Sequence, residues 1–284
     1  MTRHQIELHQ LNHNDLEDIV KLSAKIGWDY TESDLNTIFS CGTVFGHKCL
    51  NKVISCSALF PYENFASVGM VIVDPEYQGH GLGKAVVQAC LNTFQNKPVT
   101  LVSTSEGLPL YSKLGFQPVG TLHKLIASEY QSRESFVLNH DLNCRDYMET
   151  DFYEVVRFDA AAFGAKRETF LRQRIFQANH KLVVTDQFGK IAGFGLSILL
   201  PEMLLIGPII ADNDFIAHYL INKLSTTYSG KLRIDVLSNK DTLIEKLIHC
   251  GFEIVNQPPV LGMNAELFPS RNNHLYAIAA QAFG

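Results

Sequence analysis

The chain has 284 residues, 46% hydrophobic and 19% charged, with a formal net charge of -5. That length exceeds one compact α/β unit and fits two of about 130–150 residues each, and the composition excludes a disordered chain. The negative charge, with lysines and arginines scattered along the sequence, excludes a basic surface for a nucleic-acid backbone. Six cysteines (Cys41, Cys49, Cys56, Cys90, Cys144 and Cys250) form no C-x-x-C pair, and the start MTRHQIELHQ is too polar for a signal peptide. Reduced thiols in a cytoplasm are the expectation.

In chain order, Leu16, Ile19, Val20 and Leu22 have helical spacing up to Ile26, with Asn14 or Asp15 available as cap. A second helix is expected to begin at Thr31, where T-E-S-D ahead of Leu35, Ile38 and Phe39 makes a capping box. Between them Gly27-Trp28-Asp29-Tyr30 forms a loop that carries the single tryptophan. Strand-like runs at 52–60 and 67–73 suit antiparallel pairing around a polar turn at 61–64. A helix from about Leu82 to Phe94 stops before Pro98, then come a short strand at 99–103, a short helix at 108–114 ending on Gly115, and a strand at 116–119. The fold class is therefore α/β (α+β), a mostly antiparallel mixed sheet flanked by helices.

Residues 191–210 are apolar over nearly the length a membrane helix needs, but Pro201-Glu202 interrupts them and Val, Ile and Gly dominate the flanks. Two buried strands joined by a turn are expected. The second half repeats the first in outline. Lys190 precedes Gly207 by the same interval as Lys52 precedes Gly69, and H-C-G-F at 249–252 answers K-L-G-F at 113–116. Two copies of one fold follow, with domains expected at 1–130 and 131–284. They differ after Ile210, where A-D-N-D-F-I-A-H contains no glycine.

At the matching place the first copy reads Val71-Ile72-Val73-Asp74-Pro75-Glu76-Tyr77-Gln78-Gly79-His80-Gly81-Leu82-Gly83-Lys84. Three glycines at a helix entry, directly after a strand, let the backbone take positive φ and approach a ligand closely. The free amides and the helix dipole there favour an anion such as a pyrophosphate. A bland turn would also explain the glycines. The antiparallel strands ahead of them argue against a Rossmann site, and G-x-x-x-x-G-K-[ST] is absent.

Gln78-Gly79-His80-Gly81-Leu82-Gly83 resembles the Q/R-x-x-G-x-G/A motif of the GNAT superfamily of N-acetyltransferases, and Tyr111-Ser112-Lys113-Leu114-Gly115-Phe116 resembles its Y-x-x-x-G-F segment. The similarity covers about residues 1–130. The remainder is similar, more loosely, to the divergent second domain of tandem members. The resemblance implies acetyl-CoA as co-substrate, with no metal. It implies pairing of the pantetheine arm with the backbone of Met70, Val71 and Val73, and a diphosphate on Gln78, Gly79, His80, Gly81, Leu82, Gly83 and Lys84. Tyr111 becomes the candidate donor of a proton to the departing thiolate, its other reading being a core aromatic on its helix. Glu63, the acid nearest the strand, is the candidate base, its other reading a solvated turn carboxylate; Asp74 reads as fixing the turn before Pro75.

Trp28 and Tyr30, with the segments around Glu63 and His123, are the candidate walls for a cationic amine, although Trp28 also suits simple loop packing. Cys90 falls on the apolar helix face, and no cysteine has the histidine pattern of a nucleophile, so direct transfer is expected. The expected function is N-acetyl transfer to a small-molecule amine, with no nucleic-acid or membrane partner and with a homodimer left open. A protein acetyltransferase and a non-catalytic coenzyme A-binding sensor are the alternatives.

Overall fold

The computed structural model describes residues 6–28, 30–133 and 137–283. The first half of the chain supplies β1 (Ile6–Gln10), α1 (Leu16–Lys25), α2 (Glu32–Cys41), β2 (Thr43–Cys49), β3 (Lys52–Pro61), β4 (Ala66–Val73), α3 (Leu82–Asn92), β5 (Val99–Val102), α4 (Leu108–Lys113) and β6 (Gln117–Ala127). The second half supplies β7 (Leu142–Asp146), α5 (Phe152–Phe163), α6 (Glu168–Gln177), β8 (His180–Asp186), β9 (Ile191–Leu199), β10 (Met203–Ala211), α7 (Asp214–Ser225), β11 (Lys231–Leu237), α8 (Asp241–His249), β12 (Glu253–Asn256), β13 (Pro259–Met263) and β14 (Leu275–Ala277).

Two compact units result. The first groups residues up to 119 with 260–268 and the stretch from 282, and the second groups 120–259 with 269–281. In the first unit the strands run β1-β2-β3-β4-β5-β13, antiparallel except for the β4–β5 pair. In the second they run β6-β11-β14-β10-β9-β8-β7, antiparallel except for β10–β11, with β12 also against β6. Among the described residues each sheet has one parallel pair, β4–β5 and β10–β11, and each sheet is flanked by helices.

Local chemistry explains the helices of the first unit. Thr31 closes a reciprocal capping box with Asp34 at the start of α2, as T-E-S-D predicts. The opening turn is capped differently from expectation. Asn12 accepts from the Asn14 amide and Asp15 accepts from the Asn12 amide, so the box spans a 3-10 turn one residue upstream of α1. On α3, Val87, Cys90 and Leu91 pack with Leu59, Val68, Leu101, Tyr111 and Phe116 into one core cluster.

In the second unit β9 is buried on both faces up to Ile198, and β10 is buried from Leu204 onward. The membrane-length apolar run is therefore two central strands. Among the described residues no helix is long and apolar enough to cross a membrane. The cluster formed by Ile206, Ile209, Leu220, Leu224, Ile234 and Leu247 ties α7 and α8 to this sheet.

A fully buried ionic pair lies inside that unit. Arg167 donates two hydrogen bonds to Asp159, at 2.8 and 2.7 Å, with both side chains fully buried. Its guanidinium lies over the rings of Phe163 and Phe170, at 3.9 and 4.9 Å from the centroids. Removing one partner leaves a desolvated charge, which costs far more than the intact pair contributes. Asp159→Asn should destabilise the protein by about 3–5 kcal/mol in chemical denaturation, whereas a loss typical of a surface pair would show that water reaches Arg167.

Candidate active site

β4 begins as an ordinary neighbour of β5, with Ala66 opposite Val99 and Ser67 opposite Thr100, and their parallel pairing extends no further among the described residues. β4 continues to Val73 and β5 to Val102, so the strands part into a cleft. On its other side β4 stays paired to β3 but carries an extra residue between Gly69 and Ile72. Met70 within this bulge has φ of 53°. A methionine in the left-handed region costs on the order of 1–2 kcal/mol, so the surrounding packing must impose it.

Beyond Val73 the chain turns through residues 75–77. Asp74 fixes the turn, accepting from the Glu76 amide at 3.1 Å and from the Lys25 ammonium at 2.6 Å. Gln78 follows and donates through its side-chain amide to the Val73 carbonyl at 3.3 Å. Gly79 and Gly81 both have φ of 79°, and a Cβ on either would meet nothing within 4 Å. Gly81 is the N-cap of α3, whose first intrahelical bond here is from the Ala85 amide to the Gly81 carbonyl. The amides of Leu82, Gly83 and Lys84 precede that bond and point out of the helix start. Gly83 needs no special φ, and a Cβ built on it would meet Val73 and Leu110 at ordinary van der Waals distances of 3.4 and 3.6 Å. Leu82 anchors the turn in a small cluster with Cys49 and Ile54, against which Val73 and Tyr77 pack.

His80 is exposed, and its Nδ1 is occupied locally by the carbonyls of Gln78 and Tyr77 at 2.9 and 3.3 Å. Lys84 is exposed beside the open amides.

Tyr111 on α4 is 6% exposed and belongs to the cluster of Val68 and Leu101, with Val71 packed against it, which sets its ring beside the cleft strands. It meets Phe116 edge-on at 6.0 Å, and burial pushes its phenol far above the ordinary tyrosine range. Glu63 is exposed in the turn between β3 and β4. Trp28 and Tyr30 do come together, edge to face at 6.0 Å between centroids, while Asp29 of the same loop lies outside the described residues. His123 belongs to the second unit, on β6 opposite Val236 of β11. Cys90 is a core residue, its thiol on Ser57 and pushed up to about 11 by burial. Among the described residues no group of three His, Cys, Asp or Glu could hold a metal ion.

The second unit repeats the cleft and closes it. β10 pairs with β11 in parallel from Met203 to Ile206 and then parts from it. β14 lies in the gap, with Ala277 opposite both Ile209 of β10 and Val236 of β11. At the start of α7 Asn213 accepts from the Ile216 amide, and the Asp214 carboxylate accepts from the Tyr276 hydroxyl at 2.7 Å. Lys240 lies over the Tyr276 ring at 3.9 Å and donates to the Asn273 carbonyl. An acid stands where the first unit presents bare glycine amides.

The chain has counterparts among known proteins. One family model described as an acetyltransferase (GNAT) domain matches residues 41–118, and another of the same description matches 155–277. A Bacillus subtilis (strain 168) protein named as an uncharacterized N-acetyltransferase, YitH, is 36% identical over 281 residues, covering 98% of both chains. The chain belongs to the GNAT acetyltransferase family. Its fold is shared with a Pyrococcus horikoshii structure solved as a candidate acetyltransferase (TM-score 0.78, 19% identity, 98% of this chain and 96% of that one). A tandem GNAT protein from the clavulanic acid biosynthesis pathway also matches (TM-score 0.66, 12% identity, 91% of this chain and 98% of that one). This chain is thus a tandem GNAT acetyltransferase, and members of the family use acetyl-CoA and act on an amine acceptor.

β1, β2 and β14 had no expectation from the sequence. Ile6–Gln10 is exposed throughout and lacks an inward face, and β14 is three residues long. The positive φ at Met70 gives no compositional signal, since methionine is not a turn residue.

Proposed function

We propose that this GNAT protein acetylates a small-molecule amine at one site, the β4–β5 cleft of the first unit, and that its second unit binds no coenzyme. The contrast between the two clefts carries the reading: among the described residues no strand pairs with both β4 and β5 where they part toward the Gly79–Lys84 helix entry, whereas β14 pairs with both β10 and β11 and the second helix entry carries Asp214.

The residues of the first unit fit acetyl-CoA. The turn has room where Cβ atoms of residues 79 and 81 would stand, so a diphosphate can rest on the amides of Gly79 to Lys84 and on the Lys84 ammonium. The backbone of Met70, Val71 and Val73 is assigned to the pantetheine arm, which would add to the sheet as a strand. Bound there, the coenzyme supplies an acetyl group activated as a thioester. Holding that group beside a docked amine turns a bimolecular encounter into a local one.

Tyr111 is assigned the proton that the departing sulfur needs. Its burial keeps the phenol protonated through the whole working range, so the donor form persists where an ordinary tyrosine begins to ionise. Glu63 is assigned the proton lost by the attacking ammonium, and its exposure lets water carry that proton away. Trp28 and Tyr30 suit a cationic acceptor through their ring faces. An amine of modest size is favoured over a protein side chain because cleft and aromatic loop lie within one unit.

Calorimetry tests the site. Gly83 has ordinary φ and only van der Waals neighbours, so Gly83→Glu should fold while its carboxylate repels the diphosphate. We expect one acetyl-CoA per chain in the wild type and an affinity lowered by about tenfold or more in the variant; an unchanged affinity would contradict the assignment.

Thiol release with a panel of amines tests the chemistry. Tyr111→Phe should lower kcat by about 10²–10⁴-fold. In the wild type the rate should rise with pH as free amine accumulates and show no descending limb up to about pH 10. Full turnover by Tyr111→Phe would remove the proton-donor role. Binding of acetyl-CoA without release to any acceptor would favour a sensor instead.

A further inference from the structure

β1 is the outermost strand of the first unit's sheet, paired among the described residues with β2 alone, and its residues are exposed throughout. Its register with β2 is unbroken from Ile6 to Gln10, and the segment contains neither lysine nor proline. It therefore lacks the bulge, lysine or proline that usually blunts an open sheet edge.

Two hydrogen bonds fix which backbone groups face outward. The Leu11 amide donates to the Val44 carbonyl at 2.8 Å, toward β2. The amide of His47, the residue opposite Leu8, turns the other way and donates to the Ser55 hydroxyl on β3 at 3.3 Å. Bonded and non-bonded pairs alternate along an antiparallel ladder, so Glu7, His9 and Leu11 face β2, while Ile6, Leu8 and Gln10 turn their N–H and C=O to the free edge. Side chains alternate as well. Ile6 and Leu8, 38% and 45% exposed, share one face, and Glu7 and His9 share the other, carboxylate and imidazole 3.4 Å apart.

We propose that β1 is a homodimer interface, on which a second copy of this chain adds its own β1 antiparallel across a two-fold axis at Leu8. That register uses every outward backbone group: Leu8 exchanges N–H to C=O bonds with Leu8 of the second copy, and Ile6 does so with Gln10 on both sides of the axis. The same register sets Glu7 of each copy opposite His9 of the other, so a carboxylate acceptor meets an imidazole donor twice. Across the axis the two Leu8 side chains cover each other, with Ile6 on the diagonal. In parallel pairing Glu7 would meet Glu7, so the segment is complementary to itself in the antiparallel sense only. Each copy carries one β1, and a two-fold contact closes on itself, so pairing stops at two chains. An unrelated extended peptide could use the backbone edge, but only a second copy brings this side-chain pattern with it.

Sedimentation velocity on the full chain tests the pairing. The interface is small, and the wild type should dimerise with a Kd on the order of 10 µM. Leu8→Lys and Leu8→Glu each bring like charges together at the axis, and each should weaken the dimer by about thirtyfold. An equimolar mixture of the two should recover it, because residue 8 then meets its opposite; two variants that had merely misfolded would not recover on mixing. His9→Glu, which sets acid against acid on both sides of the axis, should weaken the dimer by about tenfold. A wild type that stays monomeric up to about 200 µM would overturn the proposal. A dimer that both Leu8 variants leave intact would overturn it too, as would a mixture that stays monomeric.

Discussion

Ser67 and Thr100 are the last residues at which β4 and β5 pair, and everything about the site follows from what the chain does one step later. A parallel strand pair that stops pairing leaves amides and carbonyls of a central strand without neighbours, a condition that interiors seldom tolerate. The bulge at Met70 keeps β4 attached to β3 while its course bends away from β5, at the cost of a left-handed methionine. Strain of that kind persists where packing over-determines it, and here Met70 is 2% exposed between a buried strand and a glycine covered by peptide backbone. The bend also directs β4 at the Gly79–Lys84 turn. Cleft and helix-entry amides are thereby parts of one geometric event.

The second unit answers the same constraint with its own chain. β10 leaves β11 after Ile206, and β14 supplies the missing neighbour to both. The likeness extends to detail. A Cβ on Gly207 would lie 2.2 Å from the Ile278 carbonyl, the relation Gly69 has to Ala282 in the first unit. At the helix entry the Asp214 carboxylate, held by Tyr276, sets a negative charge where a diphosphate would otherwise be attracted. The first unit has no such strand paired to both β4 and β5 among the described residues, and the proposed site lies there.

The parts of this arrangement that were legible in the sequence are those dictated locally. Gly79 and Gly81 were readable because positive φ at a helix entry demands glycine, and both adopt it. The T-E-S-D box was readable because its two hydrogen bonds span three residues. The missing glycines after Ile210 marked the second copy as different, but not why, since the substitute is a three-residue strand some 65 positions later in the sequence. The Tyr62 hydroxyl donates to the Phe283 carbonyl across 221 positions, and no window of sequence joins the two. Met70 gave no sign of its backbone, because nothing in a methionine side chain calls for the left-handed region. Packing alone decides such features, and packing is not a local property.

Amide hydrogen exchange across the whole chain, with and without acetyl-CoA, tests the central claim most directly, because it reads both clefts in one sample. Protection on adding the coenzyme should appear at residues 70–84, along β4 and the glycine turn, and none should appear at residues 203–216, along β10 and the start of α7. Protection of both segments, or of the second alone, would contradict an account in which β14 already fills the second cleft.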